Sequence, residues 1–254
     1  MKYLLVVFFL AVMTSCGSTV STKHSLTDCE HPSGWCKEIR ETAQSSFIFA
    51  QIAANTYEPT PLFTLPNQYS LIEFKDNDPI GFAYSIYENK NTNTLIISFR
   101  GTENMKDWWY GNILASQNKS GLNLFDKLRE KYSDDTNFIV TGHSLGGAIA
   151  LEVSLKRNNV DAYVFNTSPR FSSKGYNISN KRVSIVEYGE ALKILRAPSI
   201  EASQKYTSIG CSSGWPISQH EQSKLAACLT QIAAIHSDLA KESLKNNNLE
   251  FKYK

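Results

Sequence analysis

No stretch of the chain restricts its fold more than residues 138–147, Phe-Ile-Val-Thr-Gly-His-Ser-Leu-Gly-Gly. It reads as a short β-run, then a Gly-x-Ser-x-Gly pentapeptide, then the start of a helix. In that order the chain makes a sharp strand-to-helix turn with a serine at its apex, the arrangement known as a nucleophile elbow. Gly142 and Gly146 leave room for a close approach of strand and helix that a Cβ would block. Ser144 then heads a helix whose first N–H groups have no intrahelical partner and can face a developing negative charge. A Gly-x-Ser-x-Gly on an ordinary surface turn is the plainer alternative, and the flanking strand, the helix and Gly147 weigh against it.

The 254 residues suit one α/β domain with a sizeable core. A net charge of +2, with no long basic run, offers nothing for nucleic-acid binding, and no obligate protein partner is evident. Lys2 and the apolar run Leu4 to Met13 make a leader too short to span a bilayer as a mature helix. The leader ends in Met13-Thr14-Ser15-Cys16-Gly17, which resembles a bacterial lipoprotein signal in which Cys16 becomes the lipidated first residue. Met13 stands where leucine is usual. An ordinary secretory signal is the alternative. The resemblance implies a membrane contact through Cys16 in the bacterial cell envelope. Gly17, which is not the aspartate of inner-membrane retention, points to the outer membrane in a Gram-negative host. The expected organisation is a signal peptide over 1–15, a lipidated N-terminus and tether over 16–35, and one domain over 36–254.

Four further cysteines, Cys29, Cys36, Cys211 and Cys228, are an even number in a chain expected to be exported, which favours disulfides. Cys29–Cys36 and Cys211–Cys228 are the simplest of the three connectivities. No pair has Cys-x2-Cys spacing, so no metal site is expected.

Apolar residues Ile39, Ala43, Phe47, Ala50 and Ala54 recur at helical steps between Cys36 and Tyr57, and Pro59 and Pro61 end that helix. Strands are predicted over 71–74, 80–87 and 94–99, with a hairpin turn over 89–93. A helix over 122–132 precedes the elbow strand, and the elbow helix runs over 147–158. Further strands follow over 161–165 and 183–188. A single long amphipathic helix is predicted over 221–245, with Leu225, Leu229, Ile232 and Leu239 on its apolar stripe. Strands alternating with helices after residue 95 predict an α/β fold: a mostly parallel central sheet with helices on both faces.

The segment Gly142 to Gly147 resembles the elbow of the class 3 (fungal-type) lipases. Ile97-Ser98-Phe99-Arg100-Gly101-Thr102, followed by Asp107-Trp108 and Asn112, resembles a second motif of that family. Phe165-Asn166-Thr167-Ser168-Pro169-Arg170-Phe171 resembles a third, with Thr167 where glycine is usual. The resemblance spans about residues 40–245 and implies an α/β-hydrolase fold. It also implies a serine-dependent carboxylic ester hydrolase acting on a lipid or other ester, with no cofactor. Within that class, acylglycerol lipase, phospholipase A1 and other carboxylesterases stay open. Outside it stands a non-catalytic envelope lipoprotein.

A serine hydroxyl needs a base in hydrogen-bond reach and a carboxylate to orient that base. In α/β-hydrolases the order is serine, acid, histidine. Asp161 stands at the start of its strand and so falls at the wrong edge of the sheet. In Val183 to Leu192, matching Gly189 to the family's Gly-Asp places Glu190 at the acid position, with Glu187 as the runner-up. His220, at a loop-to-helix junction, is the predicted base in preference to His236. The resemblance implies that His143 packs beneath the elbow, and that the N–H of Leu145 and of Thr102 form the oxyanion hole. A Cys211–Cys228 bridge would brace the loop carrying His220. Only about thirty residues separate Trp108 from the elbow strand, so the lid is expected to be short or absent. Met105, Trp108, Trp109 and Tyr110 are either core or an acyl-chain surface.

Overall fold

A computed structural model describes residues 18–21, 35–76, 78–79, 81–101, 111–169, 171–172, 179–190, 192, 205–211 and 215–252. Its strands are β1 (Ser18–Ser21), β2 (Tyr69–Lys75), β3 (Tyr84–Asn89), β4 (Thr94–Phe99), β5 (Asn137–His143), β6 (Val160–Phe165), β7 (Arg182–Glu187) and β8 (Lys205–Ile209). The helices are α1 (Lys37–Asn55), α2 (Gly111–Lys131), α3 (Leu145–Lys156), α4 (Gln222–Ala233) and α5 (Asp238–Asn246). A 3-10 turn over Ser218–His220 precedes α4.

The strands form one sheet in the order β1-β8-β7-β6-β5-β4-β3-β2. The β2–β3 and β3–β4 pairs are antiparallel, and every pair from β4 through β8 to β1 is parallel. Parallel strands must have both faces covered, and two apolar clusters do this. Ile96, Phe165, Val183 and Ile185 pack with α1, α4 and α5 on one face. Leu95, Ile97, Phe99, Val140 and Val164 pack with α2 and α3 on the other. The split of Leu95, Ile96 and Ile97 between the two clusters is the two-residue alternation of a strand read directly in three dimensions. This is the α/β-hydrolase architecture expected from the sequence.

Four expectations need correction. The predicted tether contains β1, which pairs in parallel with β8 as an edge strand; neither strand has an apolar run to announce it. The helix predicted over 122–132 begins at Gly111. Its first half has no apolar stripe, since Gln117 and Asn118 are its buried polar residues, and Gly121, which lowers helix propensity, is required there: a Cβ would lie 2.3 Å from Ile149 Cγ2 of α3. The elbow helix starts two residues earlier than predicted, directly after Ser144. The long helix predicted over 221–245 is two helices. Ser237 accepts a hydrogen bond from the Ala240 N–H as an N-cap of α5, and that local bond interrupts an apolar stripe that continues across the break. The leader, Cys16, Cys29, Thr102, Met105 and the Asp107 to Tyr110 segment lie outside the described residues, as does the side chain of Asn112. None of the described helices is long and apolar enough to cross a membrane.

Candidate active site

At the centre of the sheet β5 ends and α3 begins with one residue between them. That residue, Ser144, has φ 56° and ψ −121°, a conformation that costs a non-glycine residue on the order of 1–3 kcal/mol. Its surroundings hold it there. The Ser144 N–H donates to the Phe165 carbonyl (3.0 Å), and the Ser144 carbonyl accepts from the N–H groups of Ser168 (2.9 Å) and Ala148 (3.2 Å). The glycines are sterically obligatory. A Cβ on Gly142 would stand 2.5 Å from the Gly146 carbonyl carbon, and one on Gly146 would stand 2.0 Å from the Phe99 carbonyl oxygen. Thr167, which departs from the family's glycine, fits because Gly147 faces it: a Cβ there would meet the Thr167 hydroxyl at 2.8 Å.

The predicted acid and base meet. Glu190 Oε2 lies 2.9 Å from His220 Nδ1 and also accepts the Leu192 N–H at 2.9 Å. The Glu190 side chain is wholly buried and the imidazole is 13% exposed. A buried carboxylate accepting from Nδ1–H leaves Nε2 as the ring's basic nitrogen. Gly189 has φ +90°, and a Cβ on it would lie 3.0 Å from Gln219 Oε1. The turn that delivers Glu190 therefore needs glycine for its backbone angle, and Gln219 packs close against it.

The alternatives fall elsewhere. Glu187 is equally buried, but its Oε1 accepts the Cys211 N–H at 2.7 Å, tying the end of β7 to the end of β8. Asp161 accepts the Lys181 N–H at the opposite edge of the sheet. His236 is exposed in the turn between α4 and α5. Cys211 and Cys228 form a disulfide across 17 residues, and this bridge closes the loop that carries His220. The other pairing considered, Cys29–Cys36, includes a residue outside the described set.

Tyr57, Asn166 and Gln219, which the sequence did not single out for the site, complete the frame together with His143. His143 Nε2 lies 2.6 Å from the His220 carbonyl and Nδ1 lies 2.8 Å from the Tyr57 hydroxyl. A carbonyl only accepts, so Nε2–H donates to it and Nδ1 of the neutral ring accepts from Tyr57. The two imidazoles stand 4.6 Å apart, centroid to centroid. Tyr57 thus connects the end of α1 to the elbow, and the elbow to the backbone of His220. Asn166, at φ 42° just beyond β6, accepts the Glu187 N–H through Oδ1 and donates through Nδ2 to the Gln219 carbonyl. It links β6, β7 and the 3-10 turn. An asparagine directly after a strand is a faint sequence signal for a left-handed position. Tyr57 and Gln219 carry no such signal.

Leu145, fully buried, opens α3 beside the serine, so its N–H belongs to the unpaired first turn. Thr102 is outside the described residues. Its neighbour Gly101 passes against the elbow, the position of a Cβ there being 2.7 Å from the His143 carbonyl oxygen and 3.1 Å from Ser144 Cβ. Among the described residues no group of three or more His, Cys, Asp or Glu side chains is gathered in a way that holds a metal ion.

A family model described as phospholipase-like, a Tle-like phospholipase domain, matches residues 53–174. This is just under half of the chain, and it contains both the Phe99–Thr102 segment and the elbow but stops before Glu190 and His220. The three motifs that carry the class 3 lipase resemblance lie within the same segment. No curated protein matches the chain. Among solved structures, the lipase–propeptide complex of Rhizomucor miehei is similar at 15% identity over 74% of this chain and 77% of that one, with a TM-score of 0.48. Lipase II of Rhizopus niveus is similar at 16% identity over 64% and 76%, with a TM-score of 0.48. A triacylglycerol lipase of Penicillium expansum is similar at 13% identity over 67% and 85%, with a TM-score of 0.46.

Proposed function

We propose that this protein is a serine-dependent hydrolase of carboxylic esters in lipids, working through an acyl-enzyme. The observation that carries the reading is the pairing of buried Glu190 with His220 Nδ1, on a turn whose backbone is bonded to the residue next to Ser144. Ser144 Oγ attacks the ester carbonyl while its proton passes to His220 Nε2. Glu190 fixes the ring's tautomer and stabilises the imidazolium that forms. The oxyanion is met by the N–H of Leu145 and, on the family resemblance, by Thr102; each such donor is worth about 10²–10³ in rate. Collapse of the tetrahedral intermediate breaks the ester C–O bond, and His220 returns its proton to the departing alkoxide. Water, deprotonated by His220, then releases the fatty acid and restores Ser144.

Phospholipid acyl esters are the second reading within this class, favoured by the phospholipase-like description of the matching family model. Lipidation at Cys16, and with it a place in the cell envelope, completes the proposal. A fluorophosphonate probe tests the chemistry. It is expected to label wild type at Ser144 and to leave Ser144→Ala unlabelled. A wild-type protein that takes up no probe would leave only the non-catalytic reading. Release of free fatty acid from phosphatidylcholine against triolein then separates the two substrate classes.

A further inference from the structure

The turn that carries His220 exposes what a folded chain ordinarily buries. Trp215 is 84% exposed and Ile217 is 65% exposed, more than any other large apolar side chain among the described residues. Pro216 between them is exposed as well. The tip is well fastened. The Trp215 carbonyl accepts from the Gln219 N–H (3.2 Å) and from the Ser218 hydroxyl (2.9 Å), and the Ile217 carbonyl accepts from the His220 N–H (3.0 Å). The Cys211–Cys228 disulfide closes the loop around it. The nearest charges along the chain, Glu221 and Lys224, pair with each other at 2.7 Å, so they add no net charge to the tip.

We infer that Trp215, Pro216 and Ile217 form a docking tip that enters a lipid surface and brings His220 to it. The choice of occupant rests on the reading of the protein as a lipid-ester hydrolase, since the substrate then resides in such a surface. Independent of that reading, an exposed tryptophan beside a proline and an isoleucine on a hydrogen-bonded turn has the chemistry of a membrane–water interface, where an indole is apolar in body and polar at one atom. Because tip and base share one hydrogen-bonded turn, whatever binds the tip lies within a few residues of the reaction.

The test uses the full chain and separates docking from chemistry. Trp215→Ser with Ile217→Ser is expected to hydrolyse soluble p-nitrophenyl acetate within about twofold of wild type. On phosphatidylcholine vesicles it is expected to fall by about tenfold or more, as each withdrawn apolar side chain costs that much in partition. Equal rates on vesicles, or an equal fall on both substrates, would overturn the proposal. Binding is read without turnover in Cys16→Ser/Ser144→Ala. Bromolipid vesicles are expected to quench a component of its tryptophan emission that is missing when Trp215→Phe is added. Undiminished quenching after that change places the tip in water and sinks the idea, whatever the protein hydrolyses. A dimer that forms without vesicles and dissociates in the double serine variant would instead make the tip an interface between copies.

Discussion

The elbow and the turn that pairs Glu190 with His220 are joined through the His143–His220 hydrogen bond and are built in opposite ways. The elbow is short-range. Ser144 is held at φ 56° between a strand and a helix that adjoin it in sequence, and Gly142 and Gly146 are fixed by contacts with backbone atoms of that same junction and of Phe99. The acid–base loop is long-range. Glu190 and His220 are thirty residues apart. Their meeting depends on Asn166 bridging three elements, on Glu187 holding Cys211, on the Cys211–Cys228 bridge and on His143 holding the His220 carbonyl. A strained turn can be written into ten adjacent residues, whereas an acid–base pair needs a scaffold. Perturbations of the elbow should act all at once, and perturbations of the loop should act in grades.

Ser144→Ala should have the largest effect. A loss of about 10⁴-fold or more in kcat is expected for a nucleophile that works as part of a unit, with Tm little changed, since alanine keeps the Cβ that strains the backbone at φ 56°. An alanine variant keeping a tenth of wild-type esterase activity would remove the elbow from the comparison. Next come the two buried glutamates. Glu190→Gln should lower kcat by about 10³–10⁴-fold with little change in KM, since the ring loses its oriented tautomer. Glu187→Ala should instead lower stability by about 1–3 kcal/mol, because the Cys211 N–H loses its acceptor, read by urea denaturation, with kcat affected far less. The reverse pattern would exchange their roles.

Cys211→Ser with Cys228→Ser should cost about 3 kcal/mol, as expected for releasing a loop of this size. Activity should fall further than for a variant of equal Tm loss elsewhere in the fold, because the released loop carries His220. Tyr57→Phe removes one hydroxyl from the Tyr57–His143–His220 chain, and a loss of about three- to tenfold in kcat at constant KM is expected from a buried hydrogen bond of ordinary strength. His236→Ala should be the smallest change, within about twofold of wild type, as befits an exposed turn residue. A large loss there would break the assignment of the base.

Much of this architecture is legible in the amino-acid order. Leu95, Ile97 and Phe99 alternate with Ile96 and Ser98 as a central strand must. Gly142, Ser144 and Gly146 prescribe the turn, because near-neighbour sterics leave a serine there few other ways to join strand to helix. Other features are less legible. The polar Ser18–Ser21 segment becomes a strand only because β8 offers it an edge. The stripe shared by α4 and α5 conceals the Ser237 cap that separates them.

By itself, then, the sequence determined the serine, the elbow and the α/β plan, all products of contacts within a few residues or of side-chain periodicity. Only the tertiary structure shows that it is Glu190, and not Glu187, that meets an imidazole, and that this imidazole is His220 and not His236. Both glutamates are buried near the end of the same strand, and what separates them is whether a residue from a distant loop arrives with an imidazole or with a backbone N–H. That choice is made by the disulfide, Asn166 and His143 acting across the sheet, which no local pattern encodes.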